Sequence, residues 1–144
     1  MKKKSNYTIE TIQLKEIHFE KINIFEAKNN KFNTNANIEN TVAKINDKNY
    51  YLQINVQHTT RDENNHDISI SRISLEAKFS IEVGYEKEYK SIIVSALEKL
   101  YTKAIEMLNS IYNKAYIPIN HYEFINFNEP EDKDIISIDL LQAQ

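Results

Sequence analysis

The sequence predicts an α+β domain: a four-stranded antiparallel sheet with one long amphipathic helix packed on one face. Two observations lead there. Between Tyr7 and Val83 apolar residues recur at every second position in several runs, the spacing of half-buried strands. From Ile93 to Ala115 they recur every three or four positions instead, the spacing of a helix with one apolar stripe. Strands gathered first and a helix after them give a sheet covered on one side. The 144 residues suit one domain over 1–144, with a flexible N-terminus at 1–6 and a linker and tail at 128–144.

Residues 7–24 read as one long strand with an irregularity. Ile12 and Leu14 have one parity, Ile17 and Phe19 the other. Successive side chains alternate faces, so the apolar set changes sides near Lys15-Glu16, as a bulge produces. The polar, Asn-rich stretch 27–37 suits a loop. Ile38, Val42 and Ile45 mark a weaker strand whose spacing also suits a short helix. Asn46-Asp47-Lys48-Asn49 is a turn, because Asn and Asp side chains bond their own backbone. Tyr50, Leu52, Ile54 and Val56 form the inner face of the next strand, and the charged residues 60–67 a hairpin connection. The last strand begins with Ile68 and Ile70. It changes parity at Ser71-Arg72, which predicts a second bulge, and continues through Ile73, Leu75, Ala77, Phe79, Ile81 and Val83 to Gly84.

The helix is expected to run about 22–24 residues, on the order of 35 Å, before Pro118, which lacks an amide donor. Residues 128–134 read as a solvated linker. Ile135 to Leu141 is a short apolar segment that must pack on the body or on another chain.

Composition removes many functions. One glycine excludes Gly-rich phosphate loops, and no cysteine means no disulfide and no thiolate site. A net charge of -3 gives no surplus of cations for nucleic acid or an anionic membrane. No apolar stretch approaches the ~20 residues of a membrane span, and no apolar run of signal-peptide length follows Lys2-Lys3-Lys4. A cytoplasmic protein without membrane insertion is expected. The 41% hydrophobic fraction makes a thin core, which oligomerisation helps to bury.

No catalytic constellation stands out, and no enzyme, metal or cofactor is expected. His66 with Asp62, Glu63 and Asp67 is the densest set of potential metal ligands, in a sequence that fits a solvated turn. His18 and His58 lie on strands and could meet across a sheet. Glu129, Glu131, Asp132 and Asp134 share a linker too flexible to hold carboxylates at catalytic spacing.

One stretch carries a resemblance. Ile12-x-x-Lys15-Glu16-Ile17-x-Phe19-Glu20 resembles the first strand of SecB-type protein-export chaperones. Leu75-Glu76-Ala77 with Phe79-Ser80-Ile81 resembles the end of that family's fourth strand, and the register of Leu100 to Ile111 its long helix. The resemblance covers residues 7–125. In place of the family's Pro-containing run before the helix stands Ser91-Ile92-Ile93-Val94-Ser95. The resemblance implies a SecB-like fold and ATP-independent holdase chaperoning of non-native polypeptides. Its implied partners are unfolded clients, the SecA translocation motor or a single dedicated client such as an antitoxin, within a homodimer or homotetramer. A non-catalytic ligand-binding or structural module is the alternative from another class.

Carried over by position, the motor contacts fall on Glu16, Glu20 and Glu76, acids that project from a sheet and steer a basic surface. Client binding needs exposed apolar or aromatic grooves and free strand edges. The candidates are the aromatics outside the regular stripes: Phe25, Phe32, Tyr85, Tyr89, Tyr116, Tyr122, Phe124 and Phe127.

Overall fold

The computed structural model describes residues 6–22, 32–115 and 126–137. Its architecture is α+β, with one mixed sheet and one long helix. The strands are β1 (Tyr7–Ile9), β2 (Gln13–Lys21), β3 (Phe32–Lys44), β4 (Asn49–Asp62), β5 (Asp67–Ile81) and β6 (Ile135–Ser137), and the helix is α1 (Tyr89–Lys114). The sheet order is β1-β5-β4-β3-β6, and β2 pairs with β5 beside β1. The expected four-stranded antiparallel sheet therefore gains two short strands and loses its uniform direction. Residues 10–12 split the expected first strand into β1 and β2, and β6 runs parallel to β3.

The irregularity near Lys15 is real. Leu14 opposes Leu75 and Glu16 opposes Ser74, so Lys15 is the extra residue of a bulge. Its effect is to return Ile17 and Phe19, opposite Ile73 and Ser71, to the face that Leu14 already occupies. Without it, either Leu14 or the Ile17–Phe19 pair would turn away from the core.

The second expected bulge lies elsewhere. Pairing of β5 with both neighbours is continuous through Ser71-Arg72, and the register shifts between Thr60 and Arg61 instead. The parity change in the sequence has another cause. Ser69 and Ser71 continue the inward face and are buried, because that end of the interior is polar. Residues 32–37, expected as loop, are strand, paired residue by residue with β4 from Asp62 to Gln57. Pairing against a 14-residue neighbour outweighs the weak strand preference of Asn.

Both hairpin turns rest on side chains that accept backbone N–H groups. The Asn46 amide oxygen takes those of Lys48 and Asn49, and the Asp62 carboxylate those of Asn64 and His66. Asn65 has φ 64°, in the left-handed region that Asn tolerates.

Helix α1 has 26 residues and is about 39 Å long. The expected stripe is the buried one: Ile93, Leu97, Leu100, Ala104 and Leu108 are buried, joined by Ile92, Ala96, Tyr101 and Tyr112. They pack on Tyr50, Leu52, Ile54 and Val56 of β4 and on Ile73, Leu75, Ala77, Phe79 and Ile81 of β5. Tyr7 pins β1 to the helix through its hydroxyl, 2.6 Å from Ser95 Oγ. Toward the helix C-terminus the interface turns polar. Tyr112 hydroxyl contacts His58 Nδ1 and lies 2.5 Å from Ser71 Oγ. Burial holds the imidazole neutral, pushing its pKa down to about 4.

Candidate binding surfaces

The sheet has a covered face, an open face and two free margins. On the open face, away from α1, lie Glu16, His18 and Glu20 of β2, opposite Ser74, Arg72 and Ile70 of β5. Glu76 follows on the same side. Sequence reasoning thus names three acids that the fold brings to one surface. That surface is nonetheless not acidic. Arg72 Nη1 lies 3.8 Å from Glu16, His18 Nε2 lies 3.8 Å from Glu20, and Tyr51 donates to the Glu76 carboxylate at 2.7 Å. Burial, with that bond to Glu76, drives the Tyr51 phenol up to about 12. Lys15, extruded by the bulge, donates to Gln53 at 3.0 Å. A concavity of about 340 Å³ here is lined by Lys15, Glu16, Gln53, Asn55, Gln57 and Arg72 among others. Amide side chains and balanced charge characterise this face.

His18 and His58 do not meet. His18 stands exposed on the open face, whereas His58 is buried under Tyr112. The Asp62–His66 turn is a capping arrangement, with His66 Nδ1 3.4 Å from Asp62. Among the described residues no three His, Cys, Asp or Glu side chains are grouped to hold a metal ion.

The aromatic candidates scatter. Phe25, Tyr116, Tyr122 and Phe124 lie outside the described residues, as does the side chain of Phe32 at the start of β3. Tyr85 is 40% exposed. Tyr89 and Phe127 are packed: Tyr89 stacks 6.3 Å from Tyr50 and bonds to Asp132, and Phe127 sits edge-on to Tyr101 at 6.0 Å.

Sequence reasoning passed over the apolar margin. Leu14 and Ile17 of β2 face the helix side of the sheet, yet they are 47% and 41% exposed because α1 lies over β4 and β5. Ile22 just beyond them is exposed too. The signal was present in the parity switch, which places Leu14 and Ile17 together at an outer strand.

The two margins differ in protection. Among the described residues, the outer edge of β2 is unpaired but carries a bulge and the charged or ionisable Lys15, Glu16, His18, Glu20 and Lys21. On the other side, β6 pairs with three of the 13 residues of β3, and among the described residues the other ten have no strand on that edge. Those ten, Phe32 to Thr41, hold one charge, Glu39, and no proline. A long strand edge with a single charge and no proline or bulge is open to pairing with another extended chain.

Comparison with solved structures places the architecture. The chain superposes on the SecB-like chaperone Rv1957 of Mycobacterium tuberculosis with a TM-score of 0.68, covering 83% of this chain and 91% of that one at 12% identity. The fold is SecB-like. That structure was solved in complex with a ChAD peptide from the Rv1956 HigA1 antitoxin. A protein of unknown function from Streptococcus agalactiae matches at a TM-score of 0.47 and 15% identity, covering 82% of this chain and 97% of that one. No family model and no curated protein matches the sequence. No described helix is long and apolar enough to cross a membrane.

Proposed function

We propose that this protein is an ATP-independent holdase that binds extended, non-native polypeptide segments. The observation that carries the reading is the SecB-like fold joined to two surfaces suited to unfolded chain. Leu14, Ile17 and Ile22 offer exposed apolar contact at one margin, and at the other β3 offers ten residues whose outer edge is unpaired among the described residues. Apolar contact and strand addition together recognise chain without reading a particular sequence. Having a single glycine, the chain lacks the Gly-rich loop that nucleotide-driven release uses, which supports passive holding.

A dedicated client, such as an antitoxin, ranks ahead of general export. The antitoxin peptide on the SecB-like neighbour supports that order. So does the open face, where Glu16 lies beside Arg72, Glu20 beside His18, and Glu76 accepts from Tyr51, so the residues proposed for a basic motor are already engaged. A cytoplasmic homodimer or tetramer completes the proposal, because association covers Leu14 and Ile17 when no client does.

The test is light scattering from a chemically unfolded client diluted into the folded protein at stoichiometric amounts. Suppression of aggregation is expected. A folded, well-behaved sample with no suppression refutes the holdase reading.

A further inference from the structure

Residues 128–134, expected as a solvated linker, and the first residues of the apolar segment 135–141, expected to pack on the body or on another chain, are seated in a groove. The groove encloses about 770 Å³ between the turn after β3, the start of α1 and the segment itself. Its walls are Lys44, Asp47, Lys48, Tyr50, Glu86, Lys87 and Tyr89, closed by Asp132, Ile135 and Ser137 of the segment. Three contacts seat the chain. Phe127 packs against Tyr101. The Asp132 carboxylate accepts from the Tyr89 hydroxyl and lies 3.8 Å from Lys90 Nζ. Ile135, Ile136 and Ser137 then pair in parallel with Val42, Ala43 and Lys44.

The seat is better built than its occupant. Of its described strand residues, Ile136 is 55% exposed. Asp132 meets Lys90, and Lys44 is paired with Asp47 at 2.9 Å. Lys48 and Lys87 also line the groove, and among the described residues neither has an ion pair. The groove thus holds Lys48 and Lys87 without an ion pair among the described residues, while Asp47 is paired with Lys44 and Glu86 accepts from the Gly84 N–H; beside them are a tyrosine hydroxyl already bonded to a carboxylate and a strand edge already taken. We infer that it is a docking site for an extended acidic peptide, occupied here by the chain's own segment 131–137 as a displaceable stand-in.

The stand-in spells the motif: a carboxylate at Asp132, two spacer residues, then Ile135 and Ile136 in extended form. A partner is Asp/Glu-x-x-Ile-Ile or its β-branched equivalents, with further acids to meet Lys48 and Lys87. Charge-assisted bonds fix its register and strand pairing supplies the rest. Tethering keeps the resident segment at an effective concentration on the order of millimolar. A free peptide of the same sequence therefore binds the intact chain weakly, and loosening the tether raises its affinity.

The chain has no cysteine, so a lock can be built without side reactions. Ala43 and Ile136 are register partners, and neighbouring strands lie within disulfide reach at about 4.8 Å. The probe is a fluorescein-labelled synthetic peptide of residues 126–137, followed by anisotropy with the full chain. Asp132→Asn should bind it about 5–10-fold more tightly than the unaltered protein. In Ala43→Cys/Ile136→Cys, oxidation should weaken binding at least 10-fold and reduction restore it. Lys48→Glu/Lys87→Glu in the Asp132→Asn background should weaken it again. Equal affinity in the oxidised and reduced states overturns the inference, as does a cross-link that forms between chains rather than within one. The readout is peptide affinity, so its failure leaves client holding, tested by light scattering, untouched.

Discussion

His58 gives the sharpest test of the polar end of the core. Its ring is buried and its pKa falls from 6.5 to about 4, because burial disfavours the cation. The folded state therefore binds fewer protons than the unfolded chain wherever the pH lies below about 6.5. Stability is complete above that pH, declines as the pH falls, and stops declining once the folded ring titrates near 4. Linkage gives a loss of about 2 kcal/mol between pH 7.5 and 5, rising to about 3 kcal/mol below pH 4. In urea titrations the midpoint should fall by about 1 M over the first interval. His58→Asn should be weaker at pH 7.5, because Tyr112 loses one of its partners, but this part of the pH slope should disappear. The remaining histidines and the carboxylates are common to both proteins and cancel in the difference. If the two lose stability in parallel from pH 7.5 to 5, His58 is not held neutral by burial and the account of this interface is wrong.

Other perturbations have definite outcomes. Tyr112→Phe removes the hydroxyl shared by His58 and Ser71 and should cost about 1–3 kcal/mol by chemical denaturation, with the fold retained. Leu100→Ala empties a fully buried position between helix and sheet and should cost about 2–5 kcal/mol in the same measurement. Leu14→Ser with Ile17→Ser alters half-exposed residues, so stability should fall by no more than about 1 kcal/mol while suppression of client aggregation drops several-fold. An unchanged light-scattering trace would remove the apolar margin from the client-binding surface. Gly84→Ala meets open space but keeps φ +95°, so a thermal melt should show a loss of about 1 kcal/mol from backbone strain alone.

Legibility in the sequence followed the strength of local pattern. The helix stripe from Ile93 to Leu108 and the inner face of β4 were readable because every apolar residue in them faces one interior. The bulge at Lys15 was readable because the apolar residues on either side of it face the same core. The parity change at Ser71 misled for the converse reason: Ser69 and Ser71 are buried on the inward face, and Tyr112, which meets Ser71 and His58 there, lies 41 and 54 residues from them along the chain. Strand pairing of residues 32–37 was hidden because their own composition favours loops and only β4 holds them extended. Glu16, Glu20 and Glu76 share one face of the sheet. The cations among them come from the bulge and from β5, and a list of acids does not show that. The seat of Asp132 was invisible as well, because Tyr89 and β3 reach it from far away in sequence.

The unequal margins of the sheet set a limit on self-assembly. Growth of a fibre by strand addition needs two adhesive edges on every unit, so that each newcomer presents a fresh one. Here the bulge and charges of β2 blunt one edge, and among the described residues β3 carries the long bare one. Two copies that met through β3 would consume both bare edges in a single two-fold contact and offer none to a third. The molecule can thus keep backbone exposed for pairing while edge-to-edge association ends at a pair.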